Sequence, residues 1–302
     1  MNRALALIGA LLLTSLTVSS ACLAATYEDL HFTLEPEHGN SAKIHAEFRD
    51  SGRGNDRTNW SSGFTPSELI GFDTSGFRSS GTRPLRFALV RDAGRLDCGG
   101  NGGGNYAAGY CRFTPDPAFT QLLVSRRIAR PTEEQGLGLM ALNVRRELVE
   151  AVASAGYPAK IDQLMALTAV GATGRYVSDM ARAGYRPRSL QTLVEFRALG
   201  ITPEWLGGFV RMGYGQFASD GLVQLKAMGI TPEFIAGFDR LGYRNLPIDT
   251  LVQLKALGIT PEFVRAAVAQ RSTMPPVHDL VELKLFGPKP ALKTIDRVAS
   301  GY

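Results

Sequence analysis

Apolar and polar residues alternate singly over the first third of the chain and recur at helical spacing over the rest. Leu30 to Leu34 and Lys43 to Arg49 alternate as half-buried strands do, with turn chemistry at Glu37-His38-Gly39-Asn40 between them. Arg86 to Val90, Arg95 to Cys98 and Tyr110 to Phe113 continue the strand pattern, and Asp92-Ala93-Gly94 supplies a turn. Ser51 to Ser62 is polar and glycine-rich, which predicts an exposed loop. Thr65-Pro66-Ser67-Glu68 predicts a short helix start with Thr65 as N-cap and Pro66 in the first turn. Together these stretches predict a small antiparallel β domain over residues 26–118. Thr114-Pro115-Asp116-Pro117 breaks the strand pattern, and a linker helix is expected over 119–129.

From residue 130 the chain repeats itself. Leu251-Val252-Gln253-Leu254-Lys255-Ala256-Leu257-Gly258-Ile259-Thr260-Pro261-Glu262-Phe263 recurs 29 residues earlier from Leu222, and 29 before that from Leu193. Gly-Tyr closes successive copies at Tyr157, Tyr185, Tyr214 and Tyr243. A fixed period of this size marks stacked supersecondary units, each too small to bury its own apolar face. Leu251, Leu254 and Leu257 give a first helix its apolar side and Gly258 a left-handed C-cap. Ile259 points inward. Thr260, Pro261 and Glu262 suit the N-cap and first turn of a second helix, and Phe263 is its expected large apolar contact, as are Phe234, Phe238 and Leu241 one copy earlier. The units fall at 130–157, 158–185, 186–214, 215–243, 244–272 and 273–302, the second degenerate at Gly171-Ala172-Thr173. The expected fold class is α+β: a small antiparallel β domain, then an α-solenoid of about six helix-turn-helix repeats over 130–302.

Composition refines the compartment. The 302 residues are 44% hydrophobic and 20% charged, values of folded rather than disordered chains. Arg3, the apolar run Ala4 to Leu16 and the small residues Ser19 to Ala25 predict a secretory signal peptide over 1–25, its core too short for a good membrane span. No later apolar run is long enough to span, so an exported chain without a transmembrane segment is expected, periplasmic or secreted. Two processing outcomes stay open: cleavage near Ala24 or Ala25, or lipid attachment at Cys22. Ser20-Ala21-Cys22 partly resembles a lipobox, with Ser19 where such boxes usually carry Leu. In an oxidising compartment Cys98 and Cys111 most simply form one disulfide.

Charge is uneven. Residues 26–157 carry 15 basic and 16 acidic side chains, a balance of −1, whereas 158–302 carry 17 and 12, a balance of +5. Basic residues of the repeats fall into columns: Arg197, Lys226, Lys255 and Lys284 at intervals of 29, and likewise Arg182, Arg211 and Arg240. One reading is a ridge that meets an anionic partner; the other is helix-dipole matching, with Glu204, Glu233 and Glu262 as the acidic counterpart at helix starts.

Candidate chemistry is sparse. Gly99-Gly100-Asn101-Gly102-Gly103-Gly104 lacks the Gly-Lys-Ser/Thr of a phosphate loop and predicts a flexible hairpin tip instead. His31, His38 and His45 bring no second ligand cluster with them. The carboxylates Glu35, Glu37 and Asp50 are scattered, and no nucleophile elbow or Cys-His pairing is present. No enzyme activity, metal or cofactor is expected.

At the repeat motif the chain resembles a family of bacterial exported repeat proteins with the pattern Asp-x-Leu-x-x-Leu-(Lys/Arg)-x-x-Gly-(Ile/Val)-Thr-Pro-Glu-(Phe/Tyr). Similar blocks occur in the carboxy-terminal regions of some beta-lactam sensor-transducer-like metallopeptidases. The resemblance extends to Arg86-Phe87-Ala88-Leu89-Val90-Arg91-Asp92-Ala93-Gly94 and to Phe113-Thr114-Pro115-Asp116-Pro117-Ala118-Phe119. It implies an exported, non-catalytic sensing or binding module, and the peptidase part is absent, since no His-Glu-x-x-His occurs. Leu225-Lys226-Ala227-Met228-Gly229-Ile230-Thr231 also looks like a helix-hairpin-helix motif. It departs at Thr231, where a second glycine belongs, and at Pro232, which has no N–H for a phosphate. A binding or scaffold protein of the cell envelope, partnered by another envelope protein, is therefore the leading expectation. Anionic-polymer binding on the basic ridge, with nucleic acid the less favoured polymer, is the alternative, and an envelope hydrolase a second one.

Overall fold

A computed structural model describes residues 27–50, 59–185, 187–214, 218–269 and 274–287. The expected signal peptide and Cys22 lie outside these residues. The protein is α+β. Six antiparallel strands come first, β1 (Tyr27–Glu37), β2 (Asn40–Asp50), β3 (Asn59–Phe64), β4 (Arg83–Arg91), β5 (Gly94–Gly103) and β6 (Tyr106–Pro115), in the sheet order β3-β2-β1-β6-β5-β4. A single 3-10 turn (Pro66–Glu68) and a short helix α1 (Thr74–Arg78) lie between β3 and β4.

Alternation decides which face is the core. Leu30, Phe32 and Leu34 of β1, Ile44, Ala46 and Phe48 of β2, Phe87 and Leu89 of β4, and Leu96 and Phe113 of β5 and β6 are all buried on one side. That face must also curl. Ile70 bridges to Ala88 on the far edge of β4, only six residues after Phe64 ends β3. Six strand spacings in a flat sheet would separate them by about 29 Å, whereas six residues reach at most about 21 Å. The sheet therefore bends into a half-barrel with the phenylalanines inside. Helix α1 packs on one end of β4, β5 and β6, burying Phe77.

Two expectations of the β region are corrected. Asn59 to Ser62, expected within the Ser51 to Ser62 loop, belong to the edge strand β3. It pairs with β2, and Trp60 stacks on Phe48 with ring centroids 4.4 Å apart. The glycine run is not a hairpin tip: Gly99, Gly100, Gly102 and Gly103 lie within β5, and the turn falls at Gly104-Asn105. Gly100 sits opposite Gly109 on β6, and a methyl group on Gly100 would lie 2.1 Å from the Ala108 carbonyl. These glycines let two backbones approach rather than bend.

Eleven of the helices that follow alternate along the chain. After α2 (Pro117–Ser125) come α3 (Glu133–Ala141), α4 (Arg146–Ser154), α5 (Ile161–Ala169), α6 (Gly174–Arg182), α7 (Leu190–Ala198) and α8 (Pro203–Phe209). Then follow α9 (Ser219–Ala227), α10 (Pro232–Asp239), α11 (Ile248–Ala256), α12 (Pro261–Val268) and α13 (Val277–Phe286). Helices of at most ten residues are marginal alone, so packing must hold them. Among first helices α3 packs on α5, α5 on α7 and α9 on α11. Among second helices α4 packs on α6, α6 on α8, α8 on α10 and α10 on α12.

Local chemistry defines each helix end as the repeat letters require. The side chains of Thr173, Thr202, Thr231 and Thr260 accept from the amides of Tyr176, Trp205, Phe234 and Phe263. Gly171, Gly200, Gly229 and Gly258 end the first helices at positive φ. Ile201, Ile230 and Ile259 are fully buried, as are Leu222, Leu225, Leu251 and Leu254. One expectation changes: Phe234 and Phe263 are only half-buried, and Ile235, Phe238 and Val264 provide the inward contacts. The Gly-Tyr endings tie repeats together, since Tyr157 and Tyr243 donate to the carbonyls of Pro187 and Pro275 at 2.9 and 2.6 Å.

The sheet is clasped to the first helices through its β4–β5 turn. The Arg91 guanidinium donates to the Met140 and Ala141 carbonyls at 2.7 Å each, covering the C-terminus of α3. Asp92 accepts from the Arg146 amide at 2.8 Å and caps α4, whose own N-cap residue, Arg145, makes no side-chain cap bond. Asp116 caps α2 and also pairs with the Arg146 guanidinium at 2.9 Å.

Candidate functional site

The basic column is tied into the repeat interfaces. Lys226, Lys255 and Lys284 each place the ammonium over a ring of the preceding unit: Trp205 at 5.4 Å, Phe234 at 5.0 Å and Phe263 at 4.9 Å. Arg197 does the same over Tyr176 at 5.3 Å and donates to the Gly171 carbonyl at 3.1 Å. The cations thus sit at the carbonyl end of the neighbouring first helix, where the dipole favours positive charge. Burial pushes the Tyr176 hydroxyl up to about 12, with the Arg197 charge opposing it, and that hydroxyl donates to the Ile201 carbonyl at 3.0 Å.

The second column is less regular. Arg182 pairs with Asp179 on its own helix. Arg211 extends along Gly207, and the Glu262 carboxyl is held low by the helix-start amide and the Thr260 hydroxyl first, then by the charge of Arg265 and last by that of Arg240. Glu233 is lowered for the same two principal reasons. The glycine that two copies share, Gly208 and Gly237, has a packing cause: methyl groups there would lie 2.5 Å from Pro232 and 2.4 Å from Pro261 of the following unit.

In the β region, Cys98 and Cys111 are directly opposite on β5 and β6 and form the disulfide, with Cα atoms 4.0 Å apart. The three histidines stay separate. The His31 ring lies 4.2 Å from Tyr110, His45 faces the Glu37 carboxylate at 3.5 Å, and His38 is in the β1–β2 turn. Among the described residues no three His, Cys, Asp or Glu side chains gather as a metal site. Glu35 pairs with His45 and so lies about 17 Å along β2 from Asp50 at the strand rise of about 3.4 Å. A glycosidase pair stands about 5–9.5 Å apart.

What the sequence reading missed is the outer face of the sheet. Register lines up Arg86, Gly99, Tyr110 and His31 across β4, β5, β6 and β1, and beside them Ala88, Asp97 and Arg112. Tyr110 is 59% and Ile70 54% exposed. Two adjoining clefts share Asp97. One, of about 450 Å³, runs over Ile70, Arg86 and Gly99, and the other, of about 570 Å³, over Tyr110, Arg112 and Thr114. Arg95 donates to Asp97 at 2.7 Å on the same face. The alternation of Arg86, Tyr110 and Arg112 with buried neighbours was the available signal; their grouping depends on cross-strand register.

Comparison with protein-family models, with curated proteins and with solved structures gives no match. Among the described residues no helix is long and apolar enough to cross a membrane.

Proposed function

We propose that the protein is an exported, non-enzymatic binding protein of the bacterial cell envelope. In this reading the helices stack as an α-solenoid of six units that serves as scaffold, and the outer face of the sheet meets the partner. One observation carries it: the recurrent letters of the repeat are occupied in building. Threonines cap, glycines end helices, prolines nest on glycines, and the lysine column clips each unit to the one before. On the β4–β6 face Tyr110 stays exposed, and neither it nor Arg86 enters any of these repeat-building contacts. Export is supported by the apolar run Ala4 to Leu16 and by the Cys98–Cys111 disulfide, which suits an oxidising compartment.

The test is retention of envelope components on the purified protein, with a Tyr110→Ala variant alongside. Components held by the wild type and released by the variant are expected. Equal retention by both, with loss only in a Lys226→Glu/Lys255→Glu variant, would move recognition to the basic ridge and overturn this assignment. Fractionation of the Cys22→Ala variant separates the two processing routes: a shift from membrane to soluble envelope marks lipid attachment.

A further inference from the structure

We infer that the outer face of the sheet between β4 and β1 binds an acidic polysaccharide, a chain of sugar rings bearing carboxylates. The inference rests on the binding reading above and gives it a ligand class. Its centre is the row Arg86, Gly99, Tyr110 and His31. A methyl group on Gly99 would meet nothing within 4 Å, so the row has a notch between the Arg86 and Tyr110 side chains. Those two residues are two strand spacings apart, about 10 Å, which leaves room for one flat ring. Tyr110 borders the notch, with its own ring braced on the other side by His31 at 4.2 Å.

The chemistry of the rim selects the ligand. A pyranose ring has a flat C–H side, which an exposed phenol ring receives, and an edge of hydroxyls, for which Asp97 offers acceptor oxygens. A carboxylate on the sugar fits the two-pronged guanidinium of Arg86. Charge points the same way: Arg86 lines the first cleft, and the one carboxylate there, Asp97, is already paired with Arg95. A peptide ligand generally needs a desolvated pocket for an apolar anchor, whereas the floor here is Gly99 and Ala88 and the clefts are open. The adjoining clefts extend the surface beyond a single ring, as a polymer requires.

The site is also held in shape. Cys98 immediately precedes Gly99 and Cys111 immediately follows Tyr110, so the disulfide fastens the two strands directly beneath the notch. A ligand meeting a pre-shaped surface loses less affinity to ordering.

The experiment is calorimetric titration of the purified full protein with polygalacturonate, beside neutral dextran, polyglutamate and an oligo-dT strand. The expected result is binding of polygalacturonate that weakens with salt and exceeds that of the other three. Gly99→Val, whose Cβ meets nothing within 4 Å and whose methyl groups enter the notch, and Tyr110→Ala should each lower the affinity at least tenfold with unchanged melting of the Gly99→Val protein. Lys226→Glu/Lys255→Glu should leave it unchanged. Absence of polygalacturonate binding, equal or stronger binding of polyglutamate or oligo-dT, or indifference to both face variants would overturn the inference. If an envelope protein is retained in a Tyr110-dependent way while polygalacturonate is not bound, the ligand class falls and the scaffold reading stands. If neither is bound, both fall.

Discussion

The Lys255 ammonium stands 5.0 Å from the centre of the Phe234 ring, one repeat earlier in the chain. The same relation joins Lys226 to Trp205 and Lys284 to Phe263, so the column looks like a ridge in sequence and acts as a series of clips in the fold. An exposed cation–ring pair contributes about 0.5–1 kcal/mol. A double-mutant cycle of Lys255→Met and Phe234→Leu should therefore give a coupling of about that size in urea unfolding. A coupling of zero would mean that Lys255 is simply a solvated side chain.

Gly237 makes a sharper case. Its backbone lies under Pro261 of the next repeat, and a methyl group would come within 2.4 Å of the proline ring. Gly237→Ala gains helix propensity of about 1 kcal/mol yet is expected to lose about 1–3 kcal/mol from overpacking. Net destabilisation, relieved when Pro261→Ala is added, is the expected outcome in thermal melts. A stabilised single variant would show that successive units are not nested there.

The β4–β5 turn predicts how the sheet and helices depend on each other. Arg91→Met leaves the Met140 and Ala141 carbonyls without their donor, at a cost of about 1–3 kcal/mol. Asp92→Ala removes the cap of α4, about 0.5–2 kcal/mol. Hydrogen exchange should quicken at the end of α3 in the first variant and at the start of α4 in the second. Exchange changes confined to β4 and β5 would argue that the clasp does not hold the helices.

These relationships mark the limit of what was legible in the sequence. Caps such as Thr260 and stops such as Gly258 act on residues a few positions away, so their letters suffice. Phe263 was misjudged because its partner, Lys284, belongs to the next unit. Asn59–Phe64 lacks strong alternation and is a strand because β2 pairs with it and Phe48 receives Trp60. The glycines of β5 could not be understood without Gly109 on the neighbouring strand, and Asp92 caps an amide 54 positions away. For the same reason the Arg86–Tyr110 row was invisible until four strands were in register.

The disulfide closes a loop of 13 residues between neighbouring strands. Loop-closure entropy for about 15 residues is worth about 3 kcal/mol, and the half-barrel is small enough to need it. Cys98→Ala/Cys111→Ala should lower the unfolding free energy of the sheet by about 2–4 kcal/mol, read from hydrogen exchange at the amides of β5 and β6. Because the helices bury their own apolar faces, helical circular dichroism should fall less. A loss shared equally by both signals would mean that sheet and repeats unfold as one.

Tyr176 supplies a test by pH. A tyrosine in the unfolded chain titrates near 10, and in the folded protein burial raises this one to about 12. Below about pH 10 the hydroxyl keeps its proton in both states, and its bond to the Ile201 carbonyl is intact. Between about 10 and 12 the unfolded chain gives up the proton first, so unfolding gains and the stability linked to this group is lost as pH rises through that window. Tyr176→Phe removes both the bond and the titration. It should be less stable than wild type at neutral pH by about 1 kcal/mol, and the gap should narrow steadily on going from about pH 9 to about pH 11.5. Denaturant midpoints of the two proteins along that series decide the matter: a gap that stays constant means that Tyr176 titrates alike in the folded and unfolded chain, which would place its hydroxyl in water rather than between the repeats.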